Sequence, residues 1–351
     1  MNLYDYINKY GHYSFDEISF NEVDNAIFSY LSYIDLDDIV DSKITMYDCY
    51  KKYTSKHKKR MIKKKFVSTR IGIDILSYIY NTKRYKDLLL YNYIYVKGNC
   101  QQFSALTIEI NKKLVYVAFE GTDEELAGWE EDYAMVYKFP VKAQKDAIRY
   151  LNRHFTFNTK KIIVGGHSKG GNLALVSAMY TNFWVRSRIK QIYSNDGPGL
   201  LLKQITSRKY KKVKDRYRLI ISKYSIVGLL LRQDVNYTVV DTKGSMLGAH
   251  TMINWKVDKL KFKRAELSRT SKIFDQGLTV WLNKYEYKDR KLLGDCIFDI
   301  FREHNINTLL DLKNNKLKII NIVKSSTNID VKYKKMFKEA LKILFETGRK
   351  L

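Results

Sequence analysis

The run Gly165-Gly166-His167-Ser168-Lys169-Gly170-Gly171-Asn172-Leu173-Ala174 constrains this chain more than any other stretch. It contains G-x-S-x-G with Ser168 at its centre. Three fixed positions are a weak signal alone, so the context carries the argument. Lys161-Ile162-Ile163-Val164 before it reads as a short buried parallel strand, and Asn172 to Met179 after it is a good helix former. A serine on a sharp strand-to-helix turn holds its hydroxyl out of the turn. Small neighbours are needed there because the backbone is strained and the helix runs close to the strand. This context predicts a nucleophile elbow.

The elements around the elbow predict an α/β class. Phe103–Ile110 alternates and Leu114–Phe119 follows a turn at Asn111-Lys112-Lys113, which predicts a hairpin. Gln191–Ser194, Tyr217–Ser222 and Tyr237–Val240 read as further strands, and helices are expected from about 71 to 81 and from Pro140 toward Arg153. Strands alternating with helices imply a mostly parallel central sheet flanked by helices, with its ligand site beyond the carboxyl ends of the strands. We expect three regions: an N-terminal helical segment packed on the core (1–70), an α/β core (71–262) and a helical C-terminal extension or cap (263–351).

Serine needs a base within hydrogen-bond reach, and the base needs an orienting carboxylate. Of six histidines, only His250 follows a strand end downstream of Ser168, in a loop bounded by Gly248. It is the candidate general base; the plain alternative is a structural histidine before Thr251–Trp255. Asp196 ends the strand after the elbow helix and falls in the order Ser…Asp…His. It could instead be a turn carboxylate ahead of Gly197-Pro198, and Asp234 and Asp241 stay in reserve. The oxyanion donors expected are the backbone N–H groups of Lys169 and of Thr122, with the Thr122 hydroxyl as a further donor. The Lys169 side chain reads as a surface charge. His167 is expected to point away from the nucleophile.

Composition bounds the rest. The chain has 351 residues, 63 Lys+Arg against 37 Asp+Glu, and a net charge of +26. That excess predicts attraction to anionic surfaces, with peripheral contact to an anionic membrane as one form of it. The densest block is Lys56-His57-Lys58-Lys59-Arg60 and Lys63-Lys64-Lys65. It carries no interleaved aromatic residue, which disfavours nucleic acid as a partner. Cys49, Cys100 and Cys296 are scattered and odd in number, so neither a zinc site nor a disulfide framework is expected. No signal-peptide pattern or membrane-length apolar run is seen, and the expectation is a cytoplasmic protein.

Phe119-Glu120-Gly121-Thr122-Asp123, Trp129, Asp132 and Gly166–Gly171 together resemble the class 3 lipase branch of the α/β-hydrolases. Asn21-Glu22-Val23-Asp24, Ser194–Gly199, Ser225-Ile226-Val227-Gly228 and His250 with Trp255 resemble, more closely, the bacterial Mbeg-like family of unknown function. The resemblance implies an α/β-hydrolase fold, a Ser168–Asp196–His250 triad and hydrolysis of a lipid or other acyl ester, with no metal and no organic cofactor. It also leaves a rival, a catalytically inactive hydrolase-fold protein that binds acyl groups or a partner. Two departures stand out. The resembling lipases carry Arg where this chain has Glu120. They place the acid one strand later, where this chain has Ser225.

Overall fold

The computed structural model describes residues 1–57, 66–98, 101–123, 125–244, 247–306, 308, 311 and 331–348. Lys58-Lys59-Arg60, Lys63-Lys64-Lys65 and Cys100 lie outside the described residues. Eight strands form one sheet: β1 (Ile44–Thr45), β2 (Leu89–Gly98), β3 (Gln101–Asn111), β4 (Leu114–Phe119), β5 (Lys161–His167), β6 (Ile189–Asn195), β7 (Tyr217–Ser222) and β8 (Thr238–Val240). Their order in space is their order in the chain. Strands β1 to β4 pair antiparallel, and β4 to β8 run parallel. The expected hairpin is β3–β4. Strand β2, which the sequence reading passed over, pairs along β3 with a register shift between Tyr91 and Ile94.

A sequential parallel order has a physical consequence. Crossovers are right-handed, so every β4-to-β7 connection falls on one face of the sheet. The helices Lys142–Phe155 and Lys169–Tyr180 cover that face and pack on Val115, Val117, Phe119, Ile162 and Val164. The residues between them in the pleat, Tyr116, Ala118 and Ile163, point to the other face. No crossover can cover it. The N-terminal helices Leu3–Tyr10, Glu22–Leu31 and Val67–Ile79 do so instead.

Helix Glu22–Leu31 sits against the strands that carry the elbow. Its capping box joins Asn21 to Asp24, and it is buried along almost its whole length. Asn25 Nδ2 donates to Asn195 Oδ1 at 2.8 Å, and Asn195 Nδ2 donates to Gly166 O at 3.1 Å. The helix is therefore fastened to the ends of β5 and β6. Asp24 holds it to the following segment: its carboxylate accepts from Arg84 Nε (2.9 Å), Arg84 Nη2 (2.6 Å) and Tyr85 Oη (2.6 Å). Neither member of the ion pair reaches solvent.

The C-terminal helices Arg269–Lys284, Tyr287–Glu303 and Val331–Gly348 pack on one another through Trp281, Leu293 and Met336. Phe274 joins the core of the sheet, and Tyr133 Oη donates to Arg290 O at 2.8 Å. Among the described residues no helix is long and apolar enough to cross a membrane. The architecture is an α/β-hydrolase-type fold, with a parallel run of strands, flanking helices and a strand–turn–helix at Ser168.

Removing one partner of a buried ion pair leaves the other charged and unsolvated. Asp24→Ala is expected to cost about 3–5 kcal/mol, read as a lowered urea midpoint by circular dichroism.

Candidate active site

Ser168 follows β5 with φ 57° and ψ −131°, a backbone conformation that costs a residue with a side chain about 1–3 kcal/mol. The surroundings hold it there. Ser168 N donates to Asn195 O at 2.9 Å, and Gly171 N donates to Ser168 O at 2.9 Å. The helix that starts at Lys169 lies directly on β4: a Cβ at Gly170 would stand 2.1 Å from Phe119 O. No other residue type allows that approach. The Ser168 side chain is partly exposed.

His250 lies in the one-turn helix Leu247–His250, in the loop that follows β8. Its Nδ1 is 2.7 Å from Asp196 Oδ2, and the Asp196 side chain is fully buried. Ser168 and Asp196 are neighbours by topology, because each follows one member of the paired residues His167 and Asn195 on adjacent parallel strands. Among the described residues Ser168 Oγ has no hydrogen-bond partner, His250 included. The carboxylate–imidazole contact is therefore closed in this structure, and the imidazole–hydroxyl contact is not.

Asp234 pairs with Lys214 at 2.8 Å on the surface, and Asp241 pairs with Lys256 at 2.9 Å. Neither meets His250. The second oxygen of Asp196 accepts from Ser225 Oγ, which in turn accepts from Gly228 N at 3.1 Å. A Cβ at Gly228 would stand 2.5 Å from Asp196 Oδ1, so the turn must carry glycine to admit the carboxylate. Ser225, at the place where the resembling lipases put an acid, is here a donor that fixes the Asp196 carboxylate.

His167 points away from Ser168 Oγ, into the protein. Its Nε2 donates to His250 O at 2.9 Å and its Nδ1 accepts from Tyr33 Oη at 3.1 Å. Burial, and then the neighbouring His250, push its pKa well below the ordinary histidine value. It stays neutral, with the proton on Nε2, and ties the His250 backbone to the end of β5. Trp255 Nε1 donating to Ala249 O at 2.8 Å holds the same loop from its far side.

The Lys169 side chain corrects the surface reading. It is fully buried, with Nζ 2.9 Å from Gln102 O, 3.3 Å from Glu131 Oε2 and 4.0 Å from Asp132 Oδ1. The reason is positional. The first turn of the elbow helix faces the segment from Glu120 to Asp132, which is rich in carboxyls, and a lysine there neutralises them. Thr122 Oγ1 donates to Asp132 Oδ2 at 2.6 Å, so the hydroxyl expected as a further oxyanion donor is committed elsewhere. The backbone N–H groups of Thr122 and Lys169 have no acceptor among the described residues. Both residues are thus held by one ionic cluster. Burial pushes the Asp132 carboxyl up to about 6, with Lys169 opposing. Burial, and then Asp123, push Glu120 well above the usual carboxylate range. Among the described residues no three His, Cys, Asp or Glu side chains converge as metal ligands.

Two outcomes are expected from this cluster. Lys169→Met leaves buried Glu131 without its cation and should destabilise the fold by about 3–5 kcal/mol, measured by thermal or urea unfolding. Asp132, with its pKa raised on folding from 3.8 to about 6, keeps a proton that the unfolded chain loses between those values. Its contribution to stability is present below that window and falls as pH rises through it. Asp132→Asn should remove this slope, so that the variant gains stability relative to the parent between pH 4 and pH 7 in urea titrations.

The sequence profile of the Mbeg1-like family matches residues 79–299. Among solved structures, the chain is similar to a Rhizomucor miehei lipase in complex with its propeptide (12% identity, TM-score 0.35, 68% of this chain and 77% of that one). It is similar to the M37 lipase (16%, 0.32, 58% and 68%). It is also similar to a fungal lipase–inhibitor complex that serves as a model for interfacial activation (17%, 0.30, 43% and 66%). These likenesses are loose. None of the curated proteins matches the sequence. The family match takes in β2 to β8 and the loops of Ser168, Asp196 and His250, and the chain belongs to the Mbeg1-like family.

Proposed function

We propose that the chain is a serine hydrolase that cleaves an ester of a lipid or another acyl ester. The observation that carries this reading is the 2.7 Å contact between His250 Nδ1 and buried Asp196, delivered beside the strained turn of Ser168. His250 Nδ1–H donates to Asp196, which leaves Nε2 as the base. Ser168 gives its proton to Nε2 and its oxygen attacks the ester carbonyl. The charge that develops on the carbonyl oxygen is received by the backbone N–H groups of Lys169 and Thr122. His250 then protonates the departing alcohol, and water, deprotonated by the same imidazole, releases the acyl group.

Hydroxyl–imidazole contacts are often long in empty enzymes and close when substrate arrives. Ser168 Oγ without a partner is compatible with that. It is also the observation on which the rival reading, an inactive protein that binds acyl groups, would rest.

Labelling by a fluorophosphonate probe separates the two. The parent protein should be labelled, Ser168→Ala should not, and His250→Ala or Asp196→Asn should slow labelling by about 10⁴-fold. A parent protein that stays unlabelled at high probe concentration would falsify the hydrolase reading.

A further inference from the structure

We propose that the corner formed by Phe157, Phe183 and Trp184 docks this protein on an anionic phospholipid bilayer, with Ser168 held at the far end of the sheet. The proposal goes beyond the serine-hydrolase reading and does not depend on it.

Phe157, Trp184 and Phe183 are the three most exposed aromatic side chains among the described residues, at 98%, 66% and 64%. They are separated in the chain and joined in space. Phe157 stands in the turn between helix Lys142–Phe155 and β5, and the other two open the short helix Phe183–Arg188 that leads into β6. Asn182 Nδ2 donates to Thr156 Oγ1 at 2.8 Å, and Asn182 N donates to Asn152 Oδ1 at 2.9 Å. Arg188 spans both pieces: Nε donates to Trp184 O at 3.0 Å, Nη1 to Lys160 O at 3.3 Å and Nη2 to Phe155 O. The Phe183 and Trp184 ring centroids are 5.5 Å apart. Val185 holds the short helix in the core. The three rings are thus carried into water on a braced backbone, which marks an interaction surface.

Charge selects the partner. Between Asp146 and Asp196 the chain has eight Lys or Arg and no Asp or Glu. Arg153, in the last turn before Phe157, and Lys161 and Lys190, at the starts of β5 and β6, are exposed. Lys113 joins them, since Lys161 N donates to Lys113 O at 2.9 Å. Two carboxylates approach this end. Glu109 is paired with Lys160 at 2.6 Å and with Lys43 at 3.2 Å, and Asp215 is followed closely by Arg216 and Arg218. Aromatic rings at headgroup depth with cations around them on lipid phosphates are what a peripheral membrane surface needs. A fluid headgroup layer admits protruding rings without a matching groove. The net charge of +26 adds attraction at longer range.

Position sets the orientation. The corner lies where β4, β5 and β6 begin: Leu114 pairs with Lys161, and Ile162 with Ile189. Ser168 and Asp196 follow the other ends of β5 and β6. A strand as long as β5 spans about 20 Å. A docked molecule therefore keeps its catalytic end off the bilayer.

Co-sedimentation with vesicles tests this, using phosphatidylcholine alone and equal parts of phosphatidylcholine and phosphatidylglycerol. The parent protein should bind the anionic vesicles at least about tenfold more tightly. Joint replacement Phe157→Ser, Phe183→Ser and Trp184→Ser should keep the parent's Tm and lose at least about tenfold in that affinity. Lys161→Glu with Lys190→Glu should lose as much. Lys259→Glu with Lys261→Glu, the same change of charge away from the corner, should lose far less. Brominated phospholipid should quench tryptophan fluorescence in the parent and not in Trp184→Phe, which keeps Trp129 and Trp255 near the catalytic end. Four results overturn the proposal: no preference for anionic vesicles, full binding by the triple variant, equal losses from the two charge pairs, or quenching that persists in Trp184→Phe. Retention by a single-stranded oligonucleotide without binding to vesicles overturns it too. The fluorophosphonate label judges the hydrolase reading separately. A labelled protein that does not dock loses only this proposal, and an unlabelled one that docks loses only the hydrolase reading.

Discussion

The strained backbone at Ser168 is the constraint on which the rest of the site depends. A residue with a side chain stays at φ 57°, ψ −131° only if the alternatives are worse. Here the helix after it lies so close to β4 that Gly170 meets Phe119 O, and the Ser168 N–H is committed to Asn195 O. Relaxing the turn would break that bond and lift the helix from the sheet. The strain is thus opposed by packing from the whole crossover face. The other face supports the same point through Asn25, Asn195 and Gly166. A helix from the beginning of the chain therefore helps to hold a turn halfway along it.

The elbow, the hairpin of β3 and β4 and the later parallel strands were legible because each is a local pattern: a short apolar run, an alternation or a glycine-rich turn. Strand β2 was not. Its alternation breaks at Asn92, which has φ 54° where the register with β3 shifts. A one-residue irregularity inverts which side chains face inward and hides the period. The covering of the second face by the N-terminal helices was expected only as packing on the core. The sequential strand order that makes it necessary is a long-range fact.

At the site, the order Ser…Asp…His selected the types of residue but could not rank Asp196 against Asp234 and Asp241. Each is an aspartate near a strand end. What distinguishes them is that Lys214 and Lys256 engage the other two, and that Ser225 and Gly228 shape a pocket for the first. Ser225 has no carboxylate to offer at the place where the resembling lipases carry one, yet its hydroxyl supplies a donor to the second oxygen of Asp196. Lys169 was misread for a related reason. Between Ser168 and Gly170 it looks solvated, and the carboxyls that bury it come from a segment some forty residues earlier. The anomalies at Glu120 and Lys169 belong together, since a buried cation at one position lowers the cost of acidic groups at the other.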